Sequence, residues 1–260
     1  MGVSIHATAI VEKGAELGHN VEVGPYAFVG KNVTLGDETK IYPHGIVAGK
    51  TQLGQRSKVW PFATIGATPQ DLKYKGENSK LICGNDNKFR EYCNISTGTA
   101  EGGFETKIGD NNLFMVNTHV AHDCMIGDSC ILANGVSLGG HIKIGNHVNI
   151  GGHTACHQFI HIGSYSITGG GSIVVQDVLP CSIVHGNHAK PYGINIIGLK
   201  RNAFSKEDIQ CARDIYKLVY RSKLTVENSI KMIKETISQS QTKTLFINFL
   251  KSRSERGLVR

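Results

Sequence analysis

The sequence predicts an all-β solenoid of short stacked rungs followed by a small α-helical domain. Three observations carry that expectation. An aliphatic side chain recurs at every sixth position through most of the chain. Glycine is abundant, 31 of 260 residues, well above the usual ~7%. The beat then stops near residue 199, where the charge changes too: residues 1–198 carry 14 basic and 15 acidic side chains, residues 199–260 carry 14 and 6. The basic excess of a chain with net charge +7 thus lies in its last quarter. That argues against a uniformly basic nucleic-acid coat and for two parts with different tasks.

The beat begins at Ile5 and runs through Val11, Leu17, Val23, Val29, Leu35, Ile41, Val47, Leu53, Val59 and Ile65. It resumes at Cys83, Phe89 and Ile95, slips once, and continues from Ile108 to Val174; 21 of the 26 positions are Val, Ile or Leu. Six is neither a helical period nor a simple hairpin spacing. It suits a short strand plus a turn, with the aliphatic side chain inward and a small residue two positions earlier (Ala9, Ala27, Ala63) in the tight corner. Gly, Asn and Asp at the turns are expected to absorb unusual backbone angles. No rung can bury its face alone, so many must stack. Cys83 and Cys156 fall on the beat, and Cys93, Cys124 and Cys130 two before it. This reads them as small buried hydrophobes rather than ligands or nucleophiles.

Two stretches interrupt the beat, near 68–80 (TPQDLKYKGENSK) and 97–106 (TGTAEGGFET). Loops thrown out of a rigid scaffold are where function often sits, although tolerated insertions look the same. The solenoid is therefore assigned to 1–198 and the helical domain to 199–260. In the latter, Ser205 followed by Asp208 resembles a capping box, and Ile209, Ala212, Tyr216 and Val219 follow helical spacing. Thr225 is placed to cap a second helix through Ile230, Ile233 and Ile237, and Leu245, Phe246, Phe249 and Leu250 suggest a third. No apolar run approaches the ~20 residues of a membrane span. MGVSIHATAI does not read as a secretory signal, and seven Cys without a CxxC fit a reducing, cytoplasmic compartment.

Seven of the 12 His lie between 119 and 161. If three hexads make a coil of 18 residues, Gly140 stacks on His122 at about 4.8 Å, with His141 alongside. A neutral imidazole beneath an open backbone N–H suits acyl transfer: the base takes a hydroxyl proton and the N–H stabilises the oxyanion. The competing reading is that corner histidines simply hydrogen-bond across rungs; His141, His147 and His153 share one hexad position. A zinc site of the γ-carbonic anhydrase kind is a further alternative, but HVAH at 119–122 has the wrong gap for those enzymes.

The hexad pattern resembles the hexapeptide-repeat transferases, which implies a left-handed parallel β-helix of about nine to ten coils; spacing alone does not give the hand. THVAHDC (118–124), QDLKYKGE (70–77), GGHTACHQF (151–159), GNHAKPYGIN (186–195) and GLKR (198–201) closely resemble the UDP-N-acetylglucosamine O-acyltransferases of lipid A biosynthesis, from Ile5 to the terminal RGLVR. The resemblance implies transfer of a β-hydroxyacyl chain from acyl carrier protein to the 3-hydroxyl of UDP-N-acetylglucosamine by a homotrimer, with no metal or other cofactor. It makes His122 the general base, Asp123 its support and Gly140 the oxyanion donor. Strand neighbours point to opposite faces, so a direct His122–Asp123 contact requires a corner; otherwise Asp123 orders the backbone or faces another subunit. Gln70, Asp71, Lys73, His119, His141, His157 and Gln158 match substrate contacts. Asn195 and Arg201 match contacts to the nucleotide end, Arg201 to phosphate. Gly170 matches the residue that limits acyl length, and a glycine there implies a longer chain. Two positions depart from the family: Asn202 stands where a second Arg is usual, and Ile197 where an acidic residue is expected. The related N-acyltransferase of the same pathway is the nearest alternative, but it normally carries an extra N-terminal domain, whereas this chain enters the repeat at Ile5.

Overall fold

The computed structural model describes residues 2–260. Short strands wind around three faces as a left-handed parallel β-helix. The first face begins with Ser4–Ile5, the second with Ile10–Val11 and the third with Glu16–Leu17. Ser4 pairs with Glu22, Ile10 with Phe28 and Glu16 with Thr34, so one coil is 18 residues, the three hexads that the family resemblance implies. The faces hold 11, 9 and 8 strands; on the first, the last strand, Lys190–Ile194, runs antiparallel and closes the sheet.

The beat residues point inward. From Val23 to Val174 they are buried, with Phe89 and Phe114 stacked on each other in the middle. Each such Val, Ile or Leu contributes about 1.5–3 kcal/mol when fully buried. Ile5 is inward by register yet 47% exposed, because no coil lies beneath the first one. The Cys at inner corners act as small hydrophobes whose thiols meet the next coil: Cys124 Sγ lies 3.2 Å from Gly139 O, and Cys130 Sγ 3.1 Å from Gly145 O. Burial pushes both thiols up to about 12, far from the thiolate a nucleophile needs.

The corners correct one expectation. Apart from Gly66, with φ +81°, the glycines that follow the aliphatic residue are not there for left-handed angles. A Cβ on Gly36 would lie 2.6 Å from Gln55 N of the next coil, so these glycines permit close backbone approach. The left-handed turn position is filled instead by Tyr, Phe, His, Asn and Asp: Tyr26, Phe62, Asp123, His141 and Phe159 all have φ near +60°. Each coil supplies part of the compensation, since the N–H at that position donates to the coil below, as His141 N does to His122 O at 3.0 Å. Ring stacking down the edges adds more: Tyr26, His44, Phe62 and Tyr92 form one continuous stack.

Helix α1 (Ile196–Arg201) starts just ahead of residue 199, because Asn195 caps it through Gly198 N. It is too short to show a period, and the sequence did not reveal it. Helices α2 (Lys206–Tyr220), α3 (Val226–Thr236) and α4 (Gln241–Lys251) follow, capped by Ser205, Thr225 and Ser240. Ile209, Ala212, Ile215, Ile233, Phe246 and Leu250 form their core. The basic tail folds back on the solenoid. Asp177, fully buried, accepts from His161 N, Ser254 N and Ser254 Oγ at 2.6–2.7 Å, and Leu258 and Val259 are buried beside it. Among the described residues, no helix is long and apolar enough to cross a membrane.

Candidate active site

Both interruptions leave the second face and re-enter on the third: one between strands Thr64–Ala67 and Lys80–Cys83, the other between Asn94–Ser96 and Glu105–Ile108. The strand after them on the second face is His119–Val120, paired with Asn94. The two loops and the His122–Asp123 corner therefore stack on one edge of the prism. Strand Glu105–Ile108 begins inside the segment expected to be loop, because Thr106 pairs with Leu81.

Asp123 sits at that corner with φ +60°, which turns its side chain toward His122 rather than to the opposite face. Its Oδ2 lies 2.7 Å from His122 Nδ1. The direct contact thus exists, and Asp123 also orders the backbone. Its Oδ1 accepts from Thr99 N at 2.8 Å and its Oδ2 from Thr99 Oγ1 at 2.6 Å, while its own N–H donates to Thr106 Oγ1. The Asp123 side chain is 1% exposed and that of His122 13%. A carboxylate already accepting two donors leaves His122 Nδ1 as a third donor, so Nε2 is the nitrogen free to take a proton. That atom lies 3.9 Å from Asp71 Oδ2.

Gly140 stacks directly on His122. A Cβ built there would lie 2.7 Å from His122 Cε1 and 2.9 Å from Nε2, so the ring occupies the space a side chain would need. On the edge between the third and first faces, the equivalent N–H groups are satisfied by the next coil: Asp110 N donates to Asp128 Oδ1, Asp128 N to Asn146 Oδ1 and Asn146 N to Ser164 Oγ. Above Gly140 the next coil presents Gln158 instead, and among the described residues the Gly140 N–H meets no acceptor. A buried donor left open calls for an explanation, and a developing oxyanion supplies one.

The other histidines frame this pair. His141 stands edge-on to His122, its centroid 5.1 Å away, and stacks on Phe159 at 4.4 Å. His119 Nδ1 lies 3.0 Å from Asn94 Oδ1. Burial is the main cause that lowers both below the ordinary histidine value, with the neighbouring His122 acting in the same direction. Both shifts favour the neutral imidazole. His157 and Gln158 lie exposed higher on the same edge. Asp71, Lys73, Thr99 and Glu101 line a cleft of about 540 Å³ between the loops, where Lys73 Nζ pairs with Glu101 at 3.0 Å; Gln70 precedes them, exposed.

Three expected residues lie elsewhere in the chain. Asn195 is buried, its Nδ2 donating to Tyr165 O, and with α1 and Arg201 it packs near the edge between the third and first faces. Asn202 ends α1 by donating to Gly198 O, and Ile197 is 66% exposed. Gly170 lies on the edge between the first and second faces. An added Cβ there meets only Gly152 O at 3.4 Å and N at 3.8 Å, and its φ is not left-handed, so the backbone does not require glycine. Sequence reasoning missed Asn94, Thr99, Gly102 and Thr106; only the broken beat pointed to their neighbourhood. His122, Asp123 and His141 bring atoms within 4.8 Å of one another, close enough for an ion. The carboxylate acceptors there are already engaged by Thr99 and His122.

Comparison with known proteins shows the family of the chain. The model of domain 2 of UDP-N-acetylglucosamine O-acyltransferase matches residues 177–259, and that of the bacterial transferase hexapeptide (six repeats) matches 105–140. The chain is similar to LpxA from Acinetobacter baumannii, with 45% identity over 98% of this chain and 99% of that one and a TM-score of 0.96. The UDP-N-acetylglucosamine O-acyltransferase of Moraxella catarrhalis is 42% identical over 98% and 99%, also with a TM-score of 0.96. The Arabidopsis UDP-N-acetylglucosamine acyltransferase is 34% identical over 98% and 100%, with a TM-score of 0.83. Identity of this extent over whole chains, on a shared fold, places this chain in the UDP-N-acetylglucosamine O-acyltransferase family of lipid A biosynthesis.

Proposed function

We propose that His122 is the general base in transfer of a β-hydroxyacyl chain from acyl carrier protein to the 3-hydroxyl of UDP-N-acetylglucosamine. The observation that carries this is the pairing of a His122 Nε2 left free by the Nδ1–Asp123 bond with an unpaired Gly140 N–H directly above the ring. The sugar hydroxyl gives its proton to Nε2 as its oxygen attacks the thioester carbonyl. The carbonyl oxygen becomes an oxyanion on the Gly140 N–H. Collapse breaks the C–S bond, and the leaving thiolate takes the proton back from His122. These steps need no metal or cofactor; phosphopantetheine arrives on the carrier, and the reaction belongs in the cytoplasm. Incubation with UDP-N-acetylglucosamine and a panel of β-hydroxyacyl carrier proteins, read by mass, tests the reading; no transfer with any chain would refute it.

Asn195 and Arg201 lie on a different edge from His122, so a site using all three draws on neighbouring copies, which supports a homotrimer with shared sites. Mixing His122→Ala chains with Arg201→Ala chains is expected to restore activity that neither has alone, measured after subunit exchange. Absence of restoration would place the nucleotide elsewhere.

Gly170 leaves room where a side chain fits without backbone strain. Gly170→Met is expected to shift preference to shorter acyl chains by about 10-fold or more per competing pair, the scale on which a few methylenes discriminate. An unchanged chain profile in the mass assay would remove Gly170 from the groove.

Arg213, Lys217 and Arg221 recur every four residues, all exposed, the first two on α2 and Arg221 at its C-cap. The cleft of about 890 Å³ beside α2 sets Lys200, Lys206 and Arg213 against Glu207, Asp208 and Asp214 and is balanced, so the positive surface is the Arg213–Arg221 row itself. It suits an acidic carrier protein, whose approach such a field accelerates. Reversing the three charges should raise KM for the acyl carrier about 10-fold or more at low salt and leave UDP-N-acetylglucosamine affinity unchanged by calorimetry.

A further inference from the structure

Asp123 has two candidate imidazole partners. Its Oδ2 lies 2.7 Å from His122 Nδ1 but also 3.7 Å from His141 Nε2, so a modest rotation of the carboxylate would favour the second. The torsion that turns a carboxylate is soft. Something other than Asp123 itself must hold it toward His122.

The second loop does this. The Thr99 N–H takes Oδ1 at 2.8 Å and the Thr99 hydroxyl takes Oδ2 at 2.6 Å, so one residue grips both oxygens. Thr99 is buried, and so is Thr106, which accepts the Asp123 N–H and fixes the backbone beneath. The loop closes on the carboxylate at Gly102, where any Cβ would overlap the Asp123 side chain. We propose that Thr99 is a positioning residue for the transfer: by donating to both Asp123 oxygens it commits the carboxylate to His122 rather than His141. It thereby holds the Nδ1–H tautomer that leaves Nε2 able to accept a proton. The inference rests on the reading of His122 as the base. Thr99 touches no substrate atom in this account and acts only through Asp123.

The experiment compares Thr99→Val, Thr99→Ser and each in an Asp123→Asn background, with wild type and His122→Ala alongside. Thr99→Val removes the hydroxyl while keeping the shape. It is expected to lower kcat about 10–100-fold, the usual scale for a group that orients another catalytic group, with KM for UDP-N-acetylglucosamine within about twofold. Thr99→Ser keeps the donor and should recover most of the rate. In the Asp123→Asn background, Thr99→Val should cost nothing further, because its target is already gone. Thr99→Ala serves the same comparison if the valine variant does not fold by circular dichroism. A wild-type kcat in Thr99→Val, equal damage from Thr99→Ser, or a full additional loss on Asp123→Asn would each overturn the proposal. Retained activity in His122→Ala would instead overturn the base assignment beneath it.

Discussion

His122→Ala is expected to reduce kcat by about 10²–10⁴-fold, the range a positioned general base supplies, with UDP-N-acetylglucosamine binding little changed. Neither neighbouring histidine is placed to substitute. His141 is stacked against Phe159, and His119 is turned to Asn94 through Nδ1. Burial lowers the proton affinity of both, which makes each a weaker base. Single-turnover rates with preloaded carrier measure the chemical step directly, and added imidazole should restore part of it by entering the vacated space. A variant retaining a tenth or more of the wild-type rate would end the assignment. Asp123→Asn should be nearly as severe, for a reason specific to this site. The Thr99 N–H demands an acceptor at the Oδ1 position, so the amide oxygen must go there and the amide nitrogen must face His122 Nδ1. A donor at that place drives the imidazole proton to Nε2, the wrong tautomer for accepting one.

The same site shows why some of its parts were readable in the sequence and others were not. The inward residues follow from a strict period, since a rung that slips by one residue turns its aliphatic side chain outward. The stacking of Gly140 on His122 follows from the 18-residue coil alone. The contact between His122 and Asp123 does not. It depends on φ +60° at Asp123, and left-handed corner positions in this chain are held by Tyr, Phe, His and Asp alike, so residue type gives no warning. Thr99, Gly102 and Thr106 were hidden for a different reason. Thr99 and Gly102 act from a loop with no period, Thr106 lies on a strand that begins inside the apparent loop, and nothing in TGTAEGGFET says that its first turn reaches the coil above. The glycines misled in the other direction: their frequency suggested left-handed turns, whereas most of those after an aliphatic residue are needed for close contact between coils. Asn195 and Arg201 illustrate the remaining limit: the structure places them near a different edge of the prism from His122, and a sequence motif does not say which edge a residue occupies.

Gly140→Ala is expected to cost about 10²–10⁴-fold in kcat, the scale of displacing a positioned general base, while leaving the fold intact. The methyl group would lie 2.7 Å from His122 Cε1 and 2.9 Å from Nε2, closer than real contacts allow, so the ring must move. His122 has little freedom to do so without leaving Asp123, to which Nδ1 is held at 2.7 Å. The backbone at Gly140 is not in the left-handed region, so alanine adds no strain of its own, and the melting temperature should stay near that of the wild type. One substitution therefore attacks both halves of the proposed mechanism: it displaces the base and crowds the N–H that would meet the oxyanion. The two effects separate in a His122→Ala background. There the clash with the ring is gone, so the residual rate should fall only by the share that belongs to the oxyanion donor. If Gly140→Ala is instead as active as wild type, the ring is not held against Gly140 during the reaction, and the open N–H above His122 loses its catalytic reading. If it cuts the rate equally in both backgrounds, Gly140 acts independently of His122, and oxyanion stabilisation alone accounts for its role.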